Sequence, residues 1–261
     1  MSIVVCRLPK AGLGNHLYPL MNALVFGRLN NLPVIIIGYH HLKIGPYLRK
    51  EKIKRKYNGY FTFQKNIIGE TIDRARVYIY AKRFETMKEP PVEKIAGPVP
   101  SNKLYLFEKL PTYHNYFIHL KGHRELVKEL LYSVINPAIL AEVEKSPKPV
   151  IGVHIRMGDF RKLKQGEDFS RVGHVRTPEH YFIDVVNAIR KINGKSLPVS
   201  LFTDGYRHEF EEIFSLDNIT MIEGNADIVD LLLLSRSSIL VAANGSTFSY
   251  WAGFLADAPL I

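Results

Sequence analysis

The sequence predicts an α/β protein whose second half is a parallel sheet with helices on both faces. Three observations carry this. From Val150 onward short β-branched runs alternate regularly with segments of helical period, the pattern of βαβ units. The run Val150-Ile-Gly-Val-His-Ile-Arg-Met-Gly-Asp-Phe160 is apolar at first and polar at its end, as a buried parallel strand reads when it delivers charged groups to the carboxyl edge of a sheet. At the amino end, a strand, a glycine loop, a helix and a second strand follow one another.

In chain order, Ile3 to Cys6 reads as a strand and Arg7 to Gly14 as a loop, with a helix opening at Asn15. Leu17, Leu20, Met21, Leu24 and Val25 recur on one helical face, Asn30-Asn31 stops the run, and Val34 to Ile37 is the next strand. Gly12 and Gly14 allow a tight turn and a close ligand approach, while the helix start offers free N–H groups. A mere connection would read the same way. From Gly38 to Pro100, Gly59 to Phe63 and Val77 to Tyr80 alternate like strands, and Glu89 to Pro100 is a proline-rich connection. Leu104 to Phe107 and Tyr116 to Leu120 read as strands, then Glu125 to Ile135 as a helix stopped by Asn136-Pro137.

In the second half, Thr177-Pro178-Glu179 marks an N-cap followed by proline at the first helical position. The helix it starts would bury Tyr181, Phe182, Val185, Ile189 and Ile192. Strands follow at Val199 to Phe202, Ile219 to Ile222 and Ile239 to Ala243, separated by a helix carrying Phe210, Ile213 and Phe214 and by an apolar helix from Asp227 to Leu234. Asn244-Gly-Ser-Thr-Phe248 opens a last helix through Ala256. Right-handed crossovers put three polar strand ends on one edge: His154 with Arg156, Thr203 with Asp204, and Asn244 with Ser246 and Thr247. Arg156 is the leading candidate for an anion, since its planar fork suits a phosphate bidentately. Plainer readings stand beside it: His154 as a hydrogen-bonded core histidine, Arg156 paired with Asp159 across the loop, and Ser246 as a simple helix cap.

The 261 residues, 46% hydrophobic and 23% charged, suit one large domain or two modest ones. No apolar run of about 18 residues and no basic lead-in point to a membrane span or secretory signal, so the reading is cytoplasmic. The single Cys6 excludes an internal disulfide. The net charge of +10 calls for an anionic partner: nucleic acid, a membrane surface or a phosphorylated small molecule. Much of it lies in Lys43 to Lys56, where Tyr47 and Tyr57 interleave with the cations. A solvated face is the default for such a run, and a peripheral contact with an anionic membrane is the functional alternative preferred here over nucleic acid. Metal-ligand spacing is absent, because His40-His41, His119 and His123 are scattered. Neither a nucleophile elbow nor a Walker loop occurs.

Three segments together carry a resemblance: Gly12-Leu-Gly-Asn15-His-Leu, the run through His154, Arg156 and Asp159, and Asp230-Leu-Leu-Leu-Leu-Ser235 leading to Ser246-Thr-Phe-Ser-Tyr-Trp-Ala252. In that order the chain resembles the α-1,2-fucosyltransferases and their superfamily of GDP-fucose-dependent transferases. The resemblance implies a GT-B fold, two Rossmann-like domains facing a cleft, with an acceptor-side domain over residues 1–146 and a GDP-sugar domain over 147–261. It implies metal-independent, inverting transfer of fucose from GDP-fucose, the donor substrate, to a glycan acceptor, with no bound cofactor; the acceptor expected here is galactose, joined α-1,2, on a surface glycan or its lipid-linked precursor. Arg156 would grip the diphosphate with His154 and Asp159 as its motif partners. Ser246, Thr247 and Phe248 would line the nucleotide side, and Gly12, Gly14 and Asn15 would face the cleft. His16, Asp159 and Asp204 are the candidates for accepting the hydroxyl proton. Three departures stand out: His16 replaces the family's usual Gln, Gly245 is an addition, and the chain ends at Ala258 to Ile261, an expected strand start, where a C-terminal helix would follow.

Overall fold

The computed structural model describes residues 1–41, 44–112, 115–168 and 175–261. In chain order the elements are β1 (Ile3–Arg7), α1 (Leu13–Leu29), β2 (Val34–Ile37), the single turn α2 (Gly45–Leu48), α3 (Ile67–Arg83), β3 (Glu85–Lys88), β4 (Lys103–Phe107) and α4 (Arg124–Val134). They continue with α5 (Pro137–Lys145), β5 (Ile151–Ile155), α6 (Glu179–Asn193), β6 (Val199–Thr203), β7 (Ile219–Met221), α7 (Asp227–Ser235), β8 (Ile239–Val241) and α8 (Thr247–Leu255). The chain divides into two compact units, Met1–Leu42 with Lys56–Pro137 and Lys43–Arg55 with Ala138–Ile261. The division falls at 137/138 instead of the expected 146/147, because α5 is tied to the second unit: Arg236 donates to the carbonyl of Val143.

The first unit is a parallel sheet in the order β2-β1-β4-β3. Strand alternation sorts its residues. Ile3 and Val5 join Ile35, Ile37, Leu104 and Leu106 against Val77 of α3. Phe26 of α1 packs on Tyr105 and Phe107 of β4, with ring centroids 4.9 and 5.5 Å apart.

The second unit is a parallel sheet in the order β7-β6-β5-β8. Val153 of the central β5 stands opposite Leu201 on one side and Val241 on the other. Ile151, Val153 and Ile155 pack against Phe182, Val186 and Ile189 of α6. The opposite face receives α7 and α8, and there Gly152 leaves no room: a Cβ would lie 2.1 Å from Ser237 Oγ and 3.0 Å from Leu234 Cδ1. Helices therefore cover both faces, and α7 is buried nearly all round.

Several elements differ from the sequence reading for local reasons. Val77 to Tyr80, expected as a strand, lies inside α3, which Asn66 caps by accepting from the Gly69 N–H at 2.8 Å. Gly59 to Phe63 is a turn with one bridge, from Phe61 to Ile135. Tyr116 to Leu120 is also turn, its N–H groups used locally, as in Leu120 N–H to Phe117 O at 2.8 Å. The proline that stops α4 starts α5, where its missing N–H costs nothing. The segment carrying Phe210 and Ile213 makes two short 3₁₀ turns, Arg207–Glu209 and Glu212–Ser215, yet both side chains are buried. Ile192, expected inside, is exposed, and the buried stripe of α6 runs through Phe182, Val186 and Ile189. The exposed edge strand β3 has no apolar alternation to announce it.

Candidate functional site

The residues singled out at the end of β5 form a charge cluster in the second unit. Arg156 follows the last residue of β5 with its side chain 19% exposed, neither solvated nor interred. Its guanidinium bonds to Asp204, at the end of β6, and to Asp159 at 2.6 Å. Its Cζ stands 5.5 Å from the centre of the Phe160 ring, a cation–π distance. The second oxygen of Asp204 accepts the Met157 N–H at 2.7 Å. Both oxygens of Asp204 therefore orient Arg156 and its loop. Gly158 sits under this arrangement, where a Cβ would lie 2.4 Å from Asp204 Oδ2 and 3.3 Å from the Arg156 Cζ.

A fourth member arrives from a distant part of the chain. Arg55, 11% exposed, lies 3.2 Å from the same Asp159 oxygen that Arg156 holds. It is fixed by Glu51 at 2.7 Å, a buried carboxylate that also pairs with Arg49. Burial alone would raise the Asp159 pKa, but the charges of Arg156 and Arg55 outweigh it and hold the carboxyl below its ordinary range. Two guanidinium groups thus converge on one anionic oxygen. In the run 43–56, Lys52 likewise pairs with Glu223 at 2.7 Å, so several of its cations are matched by carboxylates. Lys43 lies outside the described residues.

A second group gathers around the start of α8. His154 is buried, its Nδ1 is 2.7 Å from Ser249 Oγ, and Phe248 stacks on its ring at 4.8 Å. Burial pushes its pKa down to about 4, so the ring is neutral at pH 7. Ser246 is the N-cap of α8 and accepts the Ser249 N–H at 3.4 Å. Ser249 Oγ also accepts the Ala243 N–H. Gly245, with φ of 71°, donates to Tyr250 Oη at 2.8 Å, and that hydroxyl donates to Asn244. Thr177, expected to cap α6, instead accepts the Asn244 N–H at 3.0 Å, and α6 begins at Glu179. Thr247 and Phe248 are half-buried at this helix head.

The remaining candidates belong to the first unit. Helix α1 begins at Leu13, two residues earlier than expected, with Gly12 at the N-cap in extended geometry. Gly14 and Asn15 therefore lie in its first turn and not in the preceding loop. His16 is buried with its ring edge-on to Tyr57 at 5.1 Å. Sequence reasoning missed Arg55, Ser249 and Tyr250. Ser249, three residues after a capping Ser, carried a weak signal, whereas Arg55 was indistinguishable from its basic neighbours.

No group of three or more His, Cys, Asp or Glu side chains that could hold a metal ion occurs among the described residues. No helix there is long and apolar enough to cross a membrane.

The chain is 27% identical to an alpha-1,2-colitosyltransferase of Escherichia coli, covering 100% of this chain and 90% of that protein. Among solved structures, fucosyltransferase NodZ from Bradyrhizobium superposes with a TM-score of 0.55 at 15% identity, covering 97% of this chain and 93% of that one. POFUT1 in complex with GDP gives 0.56 at 13% identity, covering 99% and 96%. The likeness shows a shared fold, the GT-B class with two Rossmann-like units. The model of Glycosyl transferase family 11 matches residues 81–259, a span that holds β4, the whole of the second sheet and, of the charge cluster, Arg156, Asp159 and Asp204, with Arg55 outside it. The chain belongs to glycosyl transferase family 11, and it is a glycosyltransferase.

Proposed function

We propose that this protein transfers L-fucose from GDP-fucose to a hydroxyl of a glycan acceptor, with inversion at the anomeric carbon, without a metal ion, and in α-1,2 linkage to galactose. The observation that carries the reading is the convergence of Arg156 and Arg55 on one oxygen of Asp159. That oxygen marks where an anion is welcome, and a diphosphate could take its place. As the bond from the fucose anomeric carbon to the diphosphate breaks, its electron pair goes to the phosphate oxygen. Positioned guanidinium groups meet that charge without reorganising. Asp204 keeps Arg156 aimed, and the Ser246 turn with the head of α8 supplies further N–H groups beside the neutral His154. The acceptor oxygen attacks the opposite face of the sugar and gives up its proton to a base.

The colitosyl relative supports a 1,2 linkage, and the solved neighbours soaked with GDP-fucose or bound to GDP support a GDP-type donor. A lipid-linked acceptor handled at the inner face of a membrane suits the basic character of the chain. The test is incubation with GDP-fucose, or its colitosyl equivalent, and a panel of galactose-containing disaccharides, with linkage and anomeric configuration read by NMR. EDTA should leave the rate unchanged. Thermal shift should respond to GDP but not to UDP or ADP, and Arg156→Ala should abolish the response. Stabilisation by UDP, or turnover lost in EDTA, would replace this reading.

A further inference from the structure

Helix α3 turns an apolar stripe outward where a surface helix ordinarily presents polar groups. At about 100° per residue, Ile68, Ile72, Ala75 and Ile79 fall on one line along the helix, at the i, i+4, i+7, i+11 spacing of a buried face. All four are exposed, Ile68 at 71% and Ile72 at 55%. Ile67 and Tyr78 widen the stripe on one side, at 68% and 64%. Scattered single hydrophobic residues need no explanation, but a contiguous row does.

The charges on the helix are sorted by sign. Its two carboxylates, Glu70 and Asp73, are buried on the opposite face beside Val77. Glu70 accepts from the Gly38 and His40 N–H groups at 2.8 and 2.9 Å, so the inner face has its own structural use for acid. The outer face carries only cations. Lys82 stands beside the stripe with its Nζ 5.4 Å from the Tyr78 ring centre, and Arg83 lines the other border with Arg76, whose guanidinium also reaches back to Asp73 at 3.3 Å. Lys82 and Arg83 in the last turn also suit the helix dipole, which accounts for their position but not for five large apolar side chains beside them.

We propose that α3 is a membrane-docking helix that lies in the plane of an anionic lipid surface, its isoleucines entering the acyl boundary while Lys82 and Arg83 meet the headgroups. An apolar stripe bordered by cations and free of outward carboxylates is what such an interface binds. Charge complementarity selects this occupant over a second copy of the chain, which would set the same cations against each other. It relocates the expected membrane contact away from Lys43 to Lys56, several of whose cations are matched by carboxylates in the second unit. The proposal does not depend on which sugar is transferred.

Vesicle flotation tests it, with the full chain and liposomes of phosphatidylcholine containing or lacking 30% phosphatidylglycerol. Wild type should float with the anionic vesicles, less so at high salt, and weakly with phosphatidylcholine alone. Ile68→Ser/Ile72→Ser/Ile79→Ser and, separately, Lys82→Glu/Arg83→Glu should each lower partitioning by roughly tenfold or more, with circular dichroism and the GDP-induced thermal shift unchanged because every substituted side chain is exposed. Failure of wild type to float, or equal flotation of the stripe variant, would overturn the proposal. So would a wild-type dimer in solution that the stripe variant converts to monomer, since the face would then be covered by a second copy.

Discussion

The geometry beneath Arg156 makes Gly158→Ala the sharpest single test of the site. The new Cβ would begin 2.4 Å from Asp204 Oδ2, so the carboxylate must retreat by about 0.6 Å to reach even the 3.0 Å edge of tolerated contact. Asp204 is not a loose side chain: it is 12% exposed and held by Arg156 and by the Met157 N–H at 2.7 Å. Retreat stretches both bonds, and a charge-assisted hydrogen bond contributes about 1.5–3 kcal/mol. Loss of roughly 2 kcal/mol of Arg156 positioning corresponds to about a thirtyfold weaker GDP complex, measured by isothermal titration. The cause can be isolated with a double-mutant cycle. In an Asp204→Ala background the carboxylate clash is gone, so the penalty of Gly158→Ala should shrink to the part set by its φ of 20° and by the Cβ contact at 3.3 Å with Arg156. A GDP affinity within about twofold of wild type, or an equal penalty in both backgrounds, would refute the argument that this glycine exists to seat Asp204 against Arg156.

Other expectations follow from the same structure. Arg55→Gln should weaken GDP binding by about tenfold, the worth of one partly buried charge contact, while leaving the melting curve of the first unit unaltered; unchanged affinity would remove Arg55 from the anion position. Burial lifts the Asp230 pKa to about 7 against an Asn225 hydrogen bond that opposes it. Because the folded state then holds a proton that the unfolded state has released, stability should fall as pH rises from about 4 to 7, by at most about 1.4 kcal/mol per unit. Urea titrations of wild type and Asp230→Asn at pH 4.5 and 7.5 read this, and the variant should lose that part of the slope. Cys6 is buried and its thiol is pushed well above its usual range by burial, with Glu89 adding to it, so a thiol reagent should label it only after denaturant is added.

What could be read in the chain beforehand depended on where burial and polarity coincide. The second sheet was legible because each strand is a short apolar run ending in a polar turn, and Arg156 stood out because an obligate cation ended such a run. Helix α3 was misread because Val77-Tyr-Ile-Tyr80 is a short β-branched and aromatic run that reads as a strand, while the residues facing the core include two carboxylates. The buried Ser249 and the Tyr250 hydroxyl bonded to Gly245 depend on the tight turn after β8, which composition suggests but does not detail. Arg55 could not have been chosen from a run of seven cations by any local rule, since its partner lies 104 positions along the chain.

That contact has a bearing on how the molecule comes into being. The stretch Lys43–Arg55 is translated early yet completes the later unit, so Arg55 and Lys52 emerge from the ribosome long before Asp159 and Glu223 exist to receive them. A fragment beginning at Ala138 would carry the full second sheet but only one of the two cations that meet Asp159. The second unit is therefore not a transplantable cassette. Its assembly has to wait for the C-terminal half of the polypeptide, and grafting it elsewhere requires stitching in a loop borrowed from its neighbour's sequence.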